Sequence, residues 1–350
     1  MDQRKLIRFG KSAYCITLPH TWIKKNKLKK GDDLSVQETL RGSLEVIPNL
    51  GTQDETGNLE MDIEGKSTDE IIQLLLATYL NGYTIITLRG INNGKVAYIR
   101  KHVHEFIAAE IMEVTTDKIT IHVFWDIDSI NLHAIMTRIS HIIRNIFAET
   151  IAMLDGHIDV DDIKERGYEV QRQVLLAKRA ITYALNYSAA AQKFNMSSLE
   201  LYYVSYIIYF FGKIAEHIQE IARVMHDAAM HKLLGVKSKS QLKEILKRTA
   251  DYFSKIIDNF NKKGDNSKFI ISEFQSFEEA IEQFRHSEKS HPLQLWIPVV
   301  SEYIKMIIEK TKETEFVMIN LENSPKATTA TTADVESTVN AIEKNTIERN

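Results

Sequence analysis

The chain has 350 residues, 44% hydrophobic and 26% charged, the composition of a soluble globular protein with room for two or three domains. Cys15 is the only cysteine, which excludes an internal disulfide and fits a reducing cytosol. The net charge of −3 conceals an asymmetry: residues 1–30 carry +8 and the remaining 320 carry −11, so the basic head is the part expected to meet a polyanion.

The start, Met1-Asp-Gln-Arg-Lys, lacks the apolar stretch of a signal peptide, which predicts a cytoplasmic protein. Arg4–Phe9 and Ala13–Leu18 read as short strands about Gly10-Lys11-Ser12. Pro19 suits the first position of a short helix, His20–Asn26, with Trp22 and Ile23 as apolar anchors. Lys30-Gly31-Asp32 turns the chain into a strand over 34–38, and Leu40-Arg-Gly-Ser43 turns it again into one over 44–48. A unit of this size buries too little alone and predicts a dimer with interleaved strands.

The stretch Arg8-Phe-Gly-Lys-Ser-Ala-Tyr-Cys-Ile-Thr-Leu-Pro-His-Thr-Trp-Ile23, then Leu28-Lys-Lys-Gly-Asp-Asp-Leu-Ser-Val36, resembles the AbrB/SpoVT/MazE swapped-hairpin DNA-binding domains over nearly all of residues 1–48. The resemblance implies an obligate homodimer binding double-stranded DNA. Arg4, Lys5, Arg8 and Lys11 would then neutralise phosphates or reach base edges, and Ser12 could bond a phosphate. The alternative is that these charges only solvate a dimerisation module.

Residues 51–57 read as a polar linker and 58–126 as a small α/β module. A strand over Leu59–Glu64 leads to the capping box Ser67-Thr-Asp-Glu70 and a helix stopping at Asn81-Gly82. A β-rich run over Tyr83–Arg89, an amphipathic helix over Lys95–Ala108 and a hairpin, Ile111–Thr115 with Ile119–Phe124, complete it. Gly90 and Gly94 lack phosphate-loop spacing, so no nucleotide is expected.

Residues 127–322 read as an all-α body of six helices in two sets of three. Asp128 is expected to cap the first, which ends at Gly156, and Asp159 the second, which reaches about Lys193. The third is central, from the capping box Ser197/Glu200 to a stop at Gly235. Its stretch from Leu201 to Phe211 is apolar or aromatic on every face, which predicts that protein surrounds it. The run is shorter than the roughly 20 residues that span a bilayer, so no membrane insertion is expected. Ser238-Lys-Ser-Gln241 is expected to cap the fourth helix, Lys268–Ser287 to form the fifth, and Pro292 to open a sixth, bent by Pro298, to about Leu321.

Gly212-Lys-Ile-Ala-Glu-His-Ile-Gln-Glu220 and Lys305-Met-Ile-Ile-Glu-Lys-Thr-Lys-Glu313 superpose, and both resemble the signature helix of the PhoU family, roughly Glu-Arg-Ile-Gly-Asp-His-Ala. With its head, the whole resembles an archaeal PhoU-like regulator of phosphate uptake carrying an AbrB-type domain. The family's Glu-x-x-x-Asp pairs are implied to hold iron or zinc. Here Gly212 and Lys305 replace the first acid, which speaks against that cluster. The pairs Glu216/Glu220 and Glu309/Glu313 restore the spacing one turn later, either as a displaced metal site or as solvated acids. The tail, 323–350, is low-complexity and expected to be disordered.

The expected class is therefore a multidomain α+β protein: a swapped-hairpin β domain, a small α/β module and a PhoU-like helical body. No nucleophile–base motif marks an enzyme. Two functions compete: a transcriptional regulator of phosphate or related nutrient uptake, and an adaptor that docks a phosphate transporter ATPase or sensor kinase, with the head serving only to dimerise.

Overall fold

A computed structural model describes residues 3–10, 13–38, 42–48, 57–261, 274–286 and 296–324, which fall into two units, 3–48 and 57–324. The protein is mixed α+β, with small β-sheets towards the N-terminus and a helical C-terminal body.

In the first unit, β1 (Ile7–Phe9) pairs antiparallel with β2 (Ala13–Cys15). These strands are shorter than expected, because the pairing within this chain covers only Ile7↔Cys15 to Phe9↔Ala13. Helix α1 (His20–Lys25) follows, with Pro19 outside it as the N-cap and not in its first position. It ends on left-handed Lys27 (φ 53°), and the Leu28 N–H reaches back to the Ile23 carbonyl at 3.0 Å. Gly31 (φ 99°) makes the next turn, where the Lys29 N–H donates to the Asp32 carboxylate at 2.7 Å. Strands β3 (Leu34–Glu38) and β4 (Leu44–Pro48) form a second antiparallel pair, separate from the first.

The second unit opens with a four-stranded sheet of β5 (Asn58–Asp62), β6 (Ile85–Arg89), β7 (Ala109–Val114) and β8 (Lys118–Val123), in the order β5-β6-β8-β7. β5 and β6 are parallel, joined through α2 (Thr68–Leu80), and the other pairs are antiparallel. Ser67 and Glu70 form the expected capping box: the Ser67 hydroxyl accepts from the Glu70 N–H at 3.2 Å, and the Glu70 carboxylate accepts from the Ser67 N–H at 2.7 Å. Helix α3 (Asn93–Val103) stops before Phe106, which lies in the following turn and still reaches the core. One apolar sheet face, Ile86, Leu88, Ile119 and Ile121, packs on Ile71, Leu75 and Ile99 of the two helices.

The body contains α4 (Leu132–Met153), α5 (Val160–Asn186), α6 (Ser188–Lys193), α7 (Ser198–Met230), α8 (Val236–Asn261), α9 (Phe274–Arg285) and α10 (Trp296–Glu322). Several boundaries differ from expectation. Asn131, not Asp128, caps α4, its side chain accepting from the Ala134 N–H at 2.9 Å, while Asp128 lies in a short 3₁₀ turn, Ile127–Ser129. The second helix breaks at extended Tyr187 (φ −126°, ψ 109°), whose ring lies 4.5 Å from that of Tyr183. Ser238 is not a cap, because α8 has already begun at Val236 and the Ser238 hydroxyl donates back to the Gly235 carbonyl at 3.1 Å. Pro292, the first part of the expected fifth helix (268–273) and the tail from 325 onward lie outside the described residues, as does most of the expected linker (51–56).

The central helix α7 has its capping box, the Ser197 N–H donating to Glu200 at 2.7 Å and the Glu200 N–H to Ser197 at 3.2 Å. Gly235 does not stop it. The left-handed residue is Lys232 (φ 57°), closed by N–H bonds from Lys232 to the Ala229 carbonyl (3.0 Å) and from Leu233 to the Ala228 carbonyl (2.8 Å). This six-to-one closure usually takes glycine, since a Cβ in that region costs about 1 kcal/mol. Lys232→Gly is expected to raise stability by up to about 1 kcal/mol, read as a higher denaturant midpoint at unchanged slope. A lower midpoint would show that the lysine side chain matters more than the backbone conformation.

The module is joined to the body by Arg179 of α5, which is fully buried. Its guanidinium donates to the carbonyls of Tyr79, of Gly82 (2.9 Å) and of Tyr83 (3.1 Å), around the C-terminal end of α2. The Tyr79 and Trp125 rings lie 4.9 and 4.6 Å from it. No carboxylate is among these partners, so the carbonyl ends of a helix and two aromatic faces hold the charge. Burial pulls the arginine down to about 10, still charged at neutral pH, and pushes the Tyr79 hydroxyl up to about 12. None of the described helices is long and apolar enough to cross a membrane.

Candidate functional site

Of the expected DNA-contacting residues, Arg8 lies on β1, and Arg4 and Lys5 precede it. Arg4, Lys5 and Arg8 are exposed, whereas Lys11 and Ser12 lie outside the described residues. The register places Arg8 opposite Tyr14, so the two share one face, while Ile7, Phe9, Ala13 and Cys15 share the other. Strict alternation holds only over Ile7–Phe9, because Arg4 and Lys5 precede the paired strand. Tyr14 was not among the expected contacts. Its position opposite Arg8 was readable from a turn centred on residues 10–12, and its exposed ring provides a stacking surface beside the cation.

Among residues 3–10, 13–36 and 42–48, none is buried. Ile7 is 52% exposed, Phe9 71% and Leu44 69%, and Trp22 and Ile23 of α1 are half-buried. The short hairpin thus carries apolar residues on one face and a cation with a tyrosine on the other, two surfaces of different chemistry.

The four carboxylates considered for metal lie on α7 and α10. Glu216 pairs with Lys213 at 2.7 Å, Glu220 with Arg223 at 2.8 Å and Glu313 with Lys310 at 2.7 Å, while Glu309 is exposed. Among the described residues, no group of three His, Cys, Asp or Glu side chains is placed to hold a metal ion. His217 is half-buried against Tyr303, ring centroids 5.8 Å apart. Burial first, then Lys213 and Lys310, pull its imidazole below the usual value, against the opposing pull of Glu216 and Glu220.

The central helix α7 is not enclosed all round, contrary to expectation: Tyr202, Tyr206 and Tyr209 are exposed, while Leu201, Val204, Ile207, Ile208 and Phe211 are buried. A tyrosine ring can pack along a helix with its hydroxyl in water, so reading tyrosine as apolar hid this face. Tyr202 and Tyr206 stack edge-on at 4.9 Å, and Lys178 of α5 stands 5.6 Å over the Tyr209 ring. The spacing 202/206/209 is itself a helical stripe and was legible.

Compared with protein-family models, curated proteins and solved structures, the chain gives no match.

Proposed function

We propose that this chain is a cytoplasmic, non-enzymatic transcription regulator of phosphate or related nutrient uptake, binding duplex DNA as a homodimer through residues 1–50. The observation that carries the reading is a basic head without a core: apolar Leu6, Ile7, Phe9, Ile16 and Val36 stand exposed in the single chain, with Arg4, Lys5 and Arg8 exposed among them. A second copy interleaving its strands would cover the apolar side, as the AbrB/SpoVT/MazE resemblance implies. Two-fold symmetry would then present the Arg8 and Tyr14 face twice to a duplex.

The body is read as PhoU-like, with α4-α5-α7 and α8-α9-α10 as its two three-helix repeats. In support, the last helices of the two sets lie antiparallel: Tyr303 stands against His217, and Lys310 lies 5.4 Å over the Phe210 ring. The exposed tyrosines of α7 favour a second reading, in which this face docks a transporter ATPase or sensor kinase and the head only dimerises.

The test is binding of the full chain to its own promoter region at several salt concentrations. Log affinity is expected to fall steeply with log salt, and Arg8→Ala and Lys11→Ala each to lower that slope by about one to two units for two copies per dimer. Unchanged affinity and slope in the double variant would remove the head as a DNA reader and leave the adaptor reading ahead.

A further inference from the structure

A cavity of about 850 Å³ lies along α4 and α5, walled on one side by Ile107 of the α/β module and by Ile158 ahead of α5. Its floor is polar. Two ion pairs tie the helices together across it, Arg138 with Glu169 at 2.7 Å and Arg166 with Glu149 at 2.6 Å. With those four side chains matched, the lining keeps three further charges: Asp162 and Glu165 at one end and Arg172 at the other. All three are exposed, and their carboxylates and guanidinium form no hydrogen bond or ion pair among the described residues.

Their arrangement follows from the helix. Glu165 and Arg172 are seven residues apart on α5, hence on one face and separated by roughly 10 Å along the axis. Asp162 stands one turn before Glu165, so two like charges face the same end, with Lys164 beside them 6.0 Å over the Tyr168 ring. Tyr168 lies between the charged ends and, with Ile158 and Ile107, supplies apolar wall. The cavity therefore offers two anions at one end, one cation at the other and, between them, the Tyr168 ring beside a polar floor of matched ion pairs.

We propose that this cavity binds a basic amino acid, of the lysine or arginine class. Such a ligand carries a carboxylate for Arg172 at one end and a side-chain cation for Glu165 and Asp162 at the other, and its α-ammonium, on the carboxylate's own carbon, lies beside Glu169, one turn before Arg172. Its carboxylate pairs with the Arg172 guanidinium in fork geometry, its side-chain cation sits against Glu165 and Asp162, and its methylene stem lies along Tyr168. Ile107 belongs to the module and its carbonyl accepts from the Tyr79 hydroxyl at 3.1 Å, so the bound ligand touches both the module and the helical body. The proposal is independent of what the head binds, since ligand binding is measured without DNA.

The experiment is calorimetric titration of the full chain with L-lysine and L-arginine, with cadaverine (no carboxylate) and norleucine (no side-chain cation) as controls. L-lysine or L-arginine is expected to bind at millimolar concentration or tighter, with both controls at least about tenfold weaker, one charged contact having been lost. Arg172→Ala should weaken lysine about tenfold and leave cadaverine unchanged, and Glu165→Gln should weaken lysine and leave norleucine unchanged. Both replaced side chains are exposed, so folding is spared, and an unchanged circular dichroism spectrum checks this. Absence of lysine and arginine binding up to about 10 mM, roughly the weakest useful site, would overturn the proposal. So would cadaverine binding as tightly as lysine, or Arg172→Ala without effect.

Discussion

Arg179→Ala is expected to lower the unfolding free energy by about 3–5 kcal/mol, the range for removing one partner of a buried charged network. Arg179 is fully enclosed, and its removal strands the carbonyls of Tyr79, Gly82 and Tyr83 in a space water does not freely enter. It also leaves a gap between the Tyr79 and Trp125 rings. Arg179→Lys should recover only part of the loss. One ammonium cannot donate to three separated carbonyls, and it stacks less well between two rings than a flat guanidinium. Chemical denaturation of the full chain reads both variants. An alanine variant within about 1 kcal/mol of the parent would mean that the module and the body hold together without this clamp.

Gly90→Ala is expected to cost about 2–4 kcal/mol, combining a left-handed backbone with overpacking. Gly90 follows β6 at φ 72°, and a Cβ there would lie 2.8 Å from Asp62 Oδ1, 2.9 Å from Glu64 Cβ and 3.0 Å from the Glu64 nitrogen. The neighbours cannot readily give way, because Asp62 Oδ1 accepts from the Glu64 N–H at 2.9 Å as β5 ends. Gly65 supplies the control. It has the same φ of 72° with nothing within 4 Å of the added carbon. Gly65→Ala should therefore cost only the conformational part, about 1–2 kcal/mol. Equal losses at the two positions would show that crowding at Gly90 is relieved by movement of the β5 end.

Local rules were sufficient wherever a feature depends on neighbours in sequence. The capping boxes at Ser67/Glu70 and Ser197/Glu200, the stop at Gly82 and the 118–123 hairpin partner all rest on residues within a few positions of one another. Such bonds form at short range whatever packs outside them. The same rules misplaced the end of α7, where Lys232 takes the conformation a glycine three residues later was expected to take. Backbone closure by the Leu233 N–H onto Ala228 outweighs the modest cost of a Cβ.

What lay beyond the sequence was decided across long separations. The pattern around Arg179 reads as one more charge on an amphipathic helix, and nothing nearby announces that residues 79–83, about a hundred positions earlier, bring three carbonyls to it. Likewise Asp162, Glu165 and Arg172 are ordinary helix-surface charges until Arg138 and Glu149 of the preceding helix match their neighbours and leave these three facing a cavity. The basic head, the helical body and the two capping boxes follow from composition and short-range bonding. Which buried cation goes without an acid, and which surface charges converge, depends on how elements dock, because desolvation and pairing are properties of the packed chain.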